Sequence, residues 1–138
     1  MSNSLIIHTD GGARGNPGPA AIGVVIRDEA GTLINQIGKK IGRATNNHAE
    51  YQAVIEALQW LVSQKLNLKK IQFFLDSVLV VNQIKGEFKV KDANLRNQLK
   101  QVRQLEGVLN LPTTYVAVPR LQNAAADRLV NKALDVIS

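Results

Sequence analysis

The period of the apolar residues changes once along this chain, and that change restricts the fold more than any other feature. Up to residue 41 they come in short runs, over 5–9, 20–27 and 32–41, separated by glycine, proline or acidic turn residues. From Asn47 they recur at helical spacing, with Glu50, Val54, Ala57, Leu58 and Leu61 on one stripe. Three strands joined by tight connections, "DEAG" at 28–31 among them, predict an antiparallel meander leading into a helix that ends near Gln64. Beyond it, "KIQFFLD" reads as a fourth strand and "SVLVVNQIKG" as a short helix closing at Gly86. "EFKVKDAN" is a polar connection to an amphipathic helix over 95–109 that carries Arg96, Lys100 and Arg103. "TTYVAV" is the fifth strand, and a last helix over 123–137 gathers Ala126, Val130, Ala133 and Ile137 on one face.

The order β-β-β-α-β-α-α-β-α predicts an α/β fold with a five-stranded mixed sheet flanked by helices. Its first three strands are antiparallel, and the strands reached through helical crossovers are parallel. The length, 138 residues, suits a single domain. Ligands of such sheets bind at the carboxyl ends of the parallel strands. Asp10 and Asp76 each follow an apolar strand run, which brings both to that edge.

Net charge is +6, and the sequence pI is about 9.8. That balance predicts a polyanionic partner, nucleic acid first. Cysteine is absent, which excludes disulfides, thiolate zinc ligands and a cysteine nucleophile. No apolar run approaches the roughly 20 residues of a membrane span, and the first ten residues lack the basic start of a signal peptide. The expectation is a cytoplasmic protein with no membrane association.

On such a basic chain the acids near the sheet edge are the informative residues. Singly, each has an ordinary explanation. Asp10 would cap its own loop, Asp76 would be the N-cap of the helix after it, and Asp127 would sit in a first helical turn. Glu50 lies three residues after Asn47, the spacing of a capping box. Together they converge from two strand ends and two helix starts. Burying that much like charge costs several kcal/mol per ion unless cations offset it. Oxygen-only ligands suit Mg²⁺ or Mn²⁺, and a pair of such ions is a recurring device for phosphodiester hydrolysis. The loop over 11–19, with four glycines and two prolines, fits neither phosphate-binding glycine motif, because a strand follows it and not a helix.

The segments "TDGGARGNPGP", "RATNNHAEYQAVIEAL", "FLDSVLVV" and "VPRLQNAAADRLVNKALD", in that order, resemble a type 1 ribonuclease H. The resemblance implies the ribonuclease H fold and metal-dependent cleavage of the RNA strand of an RNA–DNA hybrid, with 5′-phosphate and 3′-hydroxyl products. It implies two Mg²⁺ or Mn²⁺ ions held by Asp10, Glu50, Asp76 and Asp127. Gly11, Asn16, Asn46 and Asn47 would meet the hybrid, the amides reading its 2′-hydroxyls. Arg43 and Thr45 would bind a phosphate of the DNA strand, and Asn123 matches an asparagine four residues before the last acid. Many members carry a histidine where this chain has Arg120, and an arginine there acts by charge, since it does not release its proton near neutral pH. Val78 stands where a polar hybrid contact is common. A Trp-rich basic insert of better-known members is replaced by "IKGEFKVKDAN", whose Lys85, Lys89 and Lys91 form a reduced basic edge. Trp60, on the first long helix, is expected to pack and not to stack on bases.

The expected protein is a monomeric endoribonuclease. The alternatives are a ribonuclease H-like module that binds a hybrid or a partner without cutting, an integrase- or resolvase-like nuclease on the same fold, and metal-independent cleavage by His8 and His48.

Overall fold

The computed structural model describes residues 3–136. Its elements are β1 (Ser4–Ala13), β2 (Gly18–Asp28), β3 (Leu33–Ala44), α1 (Asn46–Ser63), β4 (Lys70–Leu75), α2 (Val78–Ile84), α3 (Ala93–Leu109), β5 (Thr113–Ala117) and α4 (Ala124–Asp135). A 3₁₀ turn over Arg120–Asn123 leads into α4. Every expected element forms in the expected order. Ile137 lies outside the described residues.

The sheet runs β3-β2-β1-β4-β5. The first three strands form an antiparallel meander, and β4 and β5 add in parallel beside β1. On one face, Leu5, Ile7, Val24, Ile26, Ile71 and Phe73 pack against Tyr51, Val54, Ile55 and Leu58 of α1. The helical stripe read from residue 50 onward is therefore the core-facing side of α1, and Trp60 packs partly buried at its margin. α3 lies against α1 through Leu95 and Val102. α4 covers β2, β3 and β1 on the opposite face. It sits so close that a Cβ on Gly23 would stand 2.2 Å from the carbonyl oxygen of Ala126.

The sheet edge differs from expectation in one way that matters for the site. β1 does not stop at Asp10. Gly11, Gly12 and Ala13 continue it, paired with Ile22, Ala21 and Ala20. The backbone pairing of a long antiparallel ribbon overrides the poor strand propensity of two glycines. The loop is therefore only residues 14–17, and Asp10 lies within a strand, beyond the last β1–β4 pair at His8 and Phe74. Past that pair β1 has no strand partner on its β4 side among the described residues, and the opening so created lies beside Asp10. β3 likewise runs on to Ala44, which delivers the chain directly to the start of α1.

Candidate active site

Four acids reach this opening from four elements. Asp10 projects from β1, Asp76 follows the last residue of β4, Glu50 comes from the second turn of α1, and Asp127 from the first turn of α4. One carboxylate oxygen from each of Asp10, Glu50 and Asp76 lies within 4.8 Å of the other two. Asp127 is not in that tight group, but it lines the same cavity of about 410 Å³.

Two of the local roles open to these acids belong to their neighbours. Thr45, not Asn47, caps α1, its hydroxyl accepting from the His48 amide at 3.2 Å. Ser77, not Asp76, caps α2 by accepting from the Val80 amide at 3.2 Å. Glu50 is thus no member of a capping box. Its Oε1 accepts from the Gly11 amide at 3.3 Å, and its Oε2 is buried with no hydrogen-bond partner among the described residues. Asp76 Oδ2 is also buried and unbonded, with only the Arg120 Nε at 3.5 Å, an ion-pair distance with poor hydrogen-bond geometry.

The electrostatics follow from this crowding. Burial, reinforced by the Asp76 and Asp127 charges, raises the Asp10 carboxyl to about 7, even though a hydrogen bond shared with Glu50 pulls it down. Glu50 is pushed well above its ordinary range, first by burial and then by the Asp10 charge beside it. Asp76 is raised by burial, against the opposing pull of Arg120. Three acids that resist ionising together, with two bare buried oxygens among them, form a hard, oxygen-only donor set suited to a divalent cation.

A second cleft, of about 610 Å³, adjoins the acid cavity. Asn16, Arg43 and Thr45 line it, and Asn46 and Asn47 line both spaces. Asn46 N–H donates to Asn16 Oδ1 at 3.0 Å, and Asn46 Oδ1 accepts from the Ala13 amide at 2.8 Å. With those acceptor oxygens committed, the side-chain NH₂ groups are what the two amides offer a ligand. The far wall, which sequence reasoning missed, is Asp92 and Asn94 at the start of α3. Their only signal in the sequence is the N-cap character of Asp92, whose carboxylate accepts from the Leu95 amide at 3.0 Å.

Two residues expected to touch substrate have different surroundings. Asn123 is 1% exposed, and its Nδ2 donates to the Thr9 carbonyl at 2.8 Å. It is a strut between β1 and the start of α4, and its side chain does not cap that helix. Gly11 is buried, and its missing side chain faces α1: a Cβ there would meet the Ala49 backbone at 2.2 Å. The missing side chain admits the helix, while the Gly11 backbone lines the acid cavity. His8 stacks on Phe74 at 5.2 Å between ring centroids, and His48 lines the second cleft, so neither belongs to the acid cavity. Val78 is exposed on the first turn of α2, and Arg120 is 82% exposed over Asp76.

Residues 8–133 match the family model described as reverse transcriptase-like. The structure of LC11-RNase H1, isolated from compost, superposes with a TM-score of 0.90 at 44% identity over 96% of each chain. The chain belongs to the type 1 ribonuclease H family. Among curated relatives of this ribonuclease H homologue, ribonuclease HI of Halobacterium salinarum is 42% identical over 91% of this chain and 62% of its own length. The bifunctional protein Rv2228c of Mycobacterium tuberculosis is 41% identical over 95% of this chain. The chain spans only 35% of that relative. LC11-RNase H1 has also been solved in complex with an RNA/DNA hybrid, and that structure is 43% identical with a TM-score of 0.88. Among the described residues, no helix is long and apolar enough to cross a membrane.

Proposed function

We propose that this ribonuclease H homologue is an endoribonuclease that hydrolyses the RNA strand of RNA–DNA hybrids, leaving 5′-phosphate and 3′-hydroxyl ends. The observation that carries the reading is the pairing of two clefts across a shared asparagine pair. One holds the clustered acids, the other Arg43 and Thr45, so that one strand of a duplex meets each. The relative solved with an RNA/DNA hybrid supports that substrate.

In this reading Asp10, Glu50, Asp76 and Asp127 hold two divalent cations, Mg²⁺ or Mn²⁺. Bound there, such ions supply the Lewis acidity that phosphodiester hydrolysis requires. Asn16, Asn46 and Asn47 present amide donors to 2′-hydroxyls, which tells RNA from DNA. The fixed guanidinium of Arg43 and the hydroxyl of Thr45 take a phosphate of the DNA strand. Arg120 offsets anionic charge over Asp76, on the scissile phosphate or on the departing product. We further read residues 1–138 as a single catalytic domain, monomeric and cytoplasmic.

The test is a panel of labelled substrates with Mg²⁺ or Mn²⁺. Cleavage confined to the RNA of the hybrid, sparing duplex DNA, is the expected result. Equal cutting of duplex DNA would move the assignment to an integrase-like nuclease, and hybrid binding without cutting under either metal would make it a binding module.

Arg120→Ala is expected to slow turnover severalfold while hybrid affinity changes by less than about twofold, since one exposed charge adds little to binding. Steady-state kinetics beside anisotropy binding checks it. Loss of affinity with normal turnover would make Arg120 a phosphate contact only.

A further inference from the structure

The buried stripe of α3 contains one polar side chain. Gln98 lies between Leu95 and Val102 on the face packed against α1, and it is 4% exposed. Its Nε2 donates to the His48 carbonyl at 3.0 Å, across 50 residues of sequence, while its Oε1 is buried with no hydrogen-bond partner among the described residues. An amide only half bonded in an apolar contact weakens the fold relative to an aliphatic side chain of the same size. Stability alone does not explain it.

Its placement does. His48 follows Asn47 and precedes Glu50 by two residues, and its carbonyl belongs to the turn that presents Thr45, Asn46 and Asn47. α3 in turn begins at the opposite wall of the 610 Å³ cleft, with Asp92 and Asn94. Gln98 is one turn further along that helix, so its bond ties the two walls together directly behind the cleft. We propose that Gln98 is a positioning residue that sets the spacing of these walls, and through it the fit of the strand opposite the one cut. This inference rests on the hybrid substrate proposed above.

Three variants test it, by anisotropy with a labelled RNA–DNA hybrid in chelator, thermal melting, and steady-state cleavage with Mg²⁺. Gln98→Met keeps length and burial but has no donor. Gln98→Glu keeps the shape and turns an acceptor toward the His48 carbonyl. Val102→Ala opens a cavity one turn along the same stripe without touching His48. Gln98→Met should raise the hybrid Kd by roughly three- to tenfold, the scale of one lost neutral hydrogen bond. KM should follow, kcat should stay within about twofold, and the melting temperature should be unchanged or higher. Gln98→Glu should bind more weakly still. Val102→Ala should lower the melting temperature and leave Kd alone. A Gln98→Met protein with wild-type Kd and KM overturns the inference, whatever its stability. Failure of the wild-type protein to bind the hybrid would instead sink the substrate reading and this inference with it.

Discussion

Asp10→Asn is expected to yield a folded protein that melts at a higher temperature than the wild type and has lost at least about 10³-fold in cleavage rate. The loss is at the upper end of what removing one preorganised electrostatic group costs an enzyme, because Asp10 is central to the acid cluster. The gain in stability comes from the same residue. In the metal-free protein its carboxyl is held up to about 7, chiefly by burial, whereas the unfolded chain has it near 3.8. The folded state therefore binds more protons than the unfolded state between those values. The contribution of Asp10 to stability falls as pH rises through that window and is lost above about 7. A tenfold change in a group's acidity between folded and unfolded chain corresponds to about 1.4 kcal/mol, so ionising Asp10 above pH 7 costs the wild-type fold a few kcal/mol. Asparagine removes the Asp10 share, which raises the melting temperature in chelator by several degrees at pH 8. At pH 4 the gap between variant and wild type should close. Melting curves at both pH values check the sign. A variant that melts lower at pH 8 would show that Asp10 stabilises the fold and does not strain it.

Gly11→Ala should produce the largest loss of stability of any single methyl added to this chain's first strand. The new Cβ would lie 2.2 Å from both the carbonyl carbon and oxygen of Ala49 and 2.5 Å from the Glu50 nitrogen. Those are backbone atoms of α1 and have no rotamer by which to retreat. The helix must move, and with it the Gly11 N–H bond to Glu50. Overpacking against side chains typically costs 1–3 kcal/mol, and a clash with helix backbone should exceed about 3 kcal/mol. Chemical denaturation measures it. The surviving folded fraction should also bind divalent metal poorly, because Glu50 no longer reaches Asp10. A stable Gly11→Ala protein with normal metal affinity would mean that α1 does not depend on this close approach.

Much of this architecture is legible in the residues themselves. The switch of apolar period at Asn47 separates meander from helix, and Asp76 and Asp127 stand where a strand ends and a helix begins. Strand direction then follows from which connections are short and which cross over, whereas the pairing of β4 with β1 is seen only in the fold. Other features resist such reading for physical reasons. Asn47 and Thr45 are both credible caps, as are Asp76 and Ser77, and only three-dimensional hydrogen bonding decides between neighbours two residues or one apart. Gly11, Gly12 and Ala13 look like a loop because the strand they form is held by partners on β2, not by their own propensity. Asn123 and Gln98 find their acceptors 114 and 50 residues away, so no local pattern announces either. Gly11 is the instructive case: in the sequence its freedom suggests room for substrate, whereas in the fold its side-chain position is taken by α1 while its backbone lines the acid cavity.

In the proposed reaction the acid cluster, loaded with divalent metal, cuts RNA paired to DNA. The most direct test follows an RNA strand labelled at its 5′ end within a hybrid, first with the protein in chelator and then after Mg²⁺ is added in excess. The expected result is no cleavage in chelator, cleavage on metal addition, and fragments ending in 3′-hydroxyls whose downstream partners carry 5′-phosphates. Cleavage that persists in chelator, or fragments ending in a 2′,3′-cyclic phosphate, would contradict it.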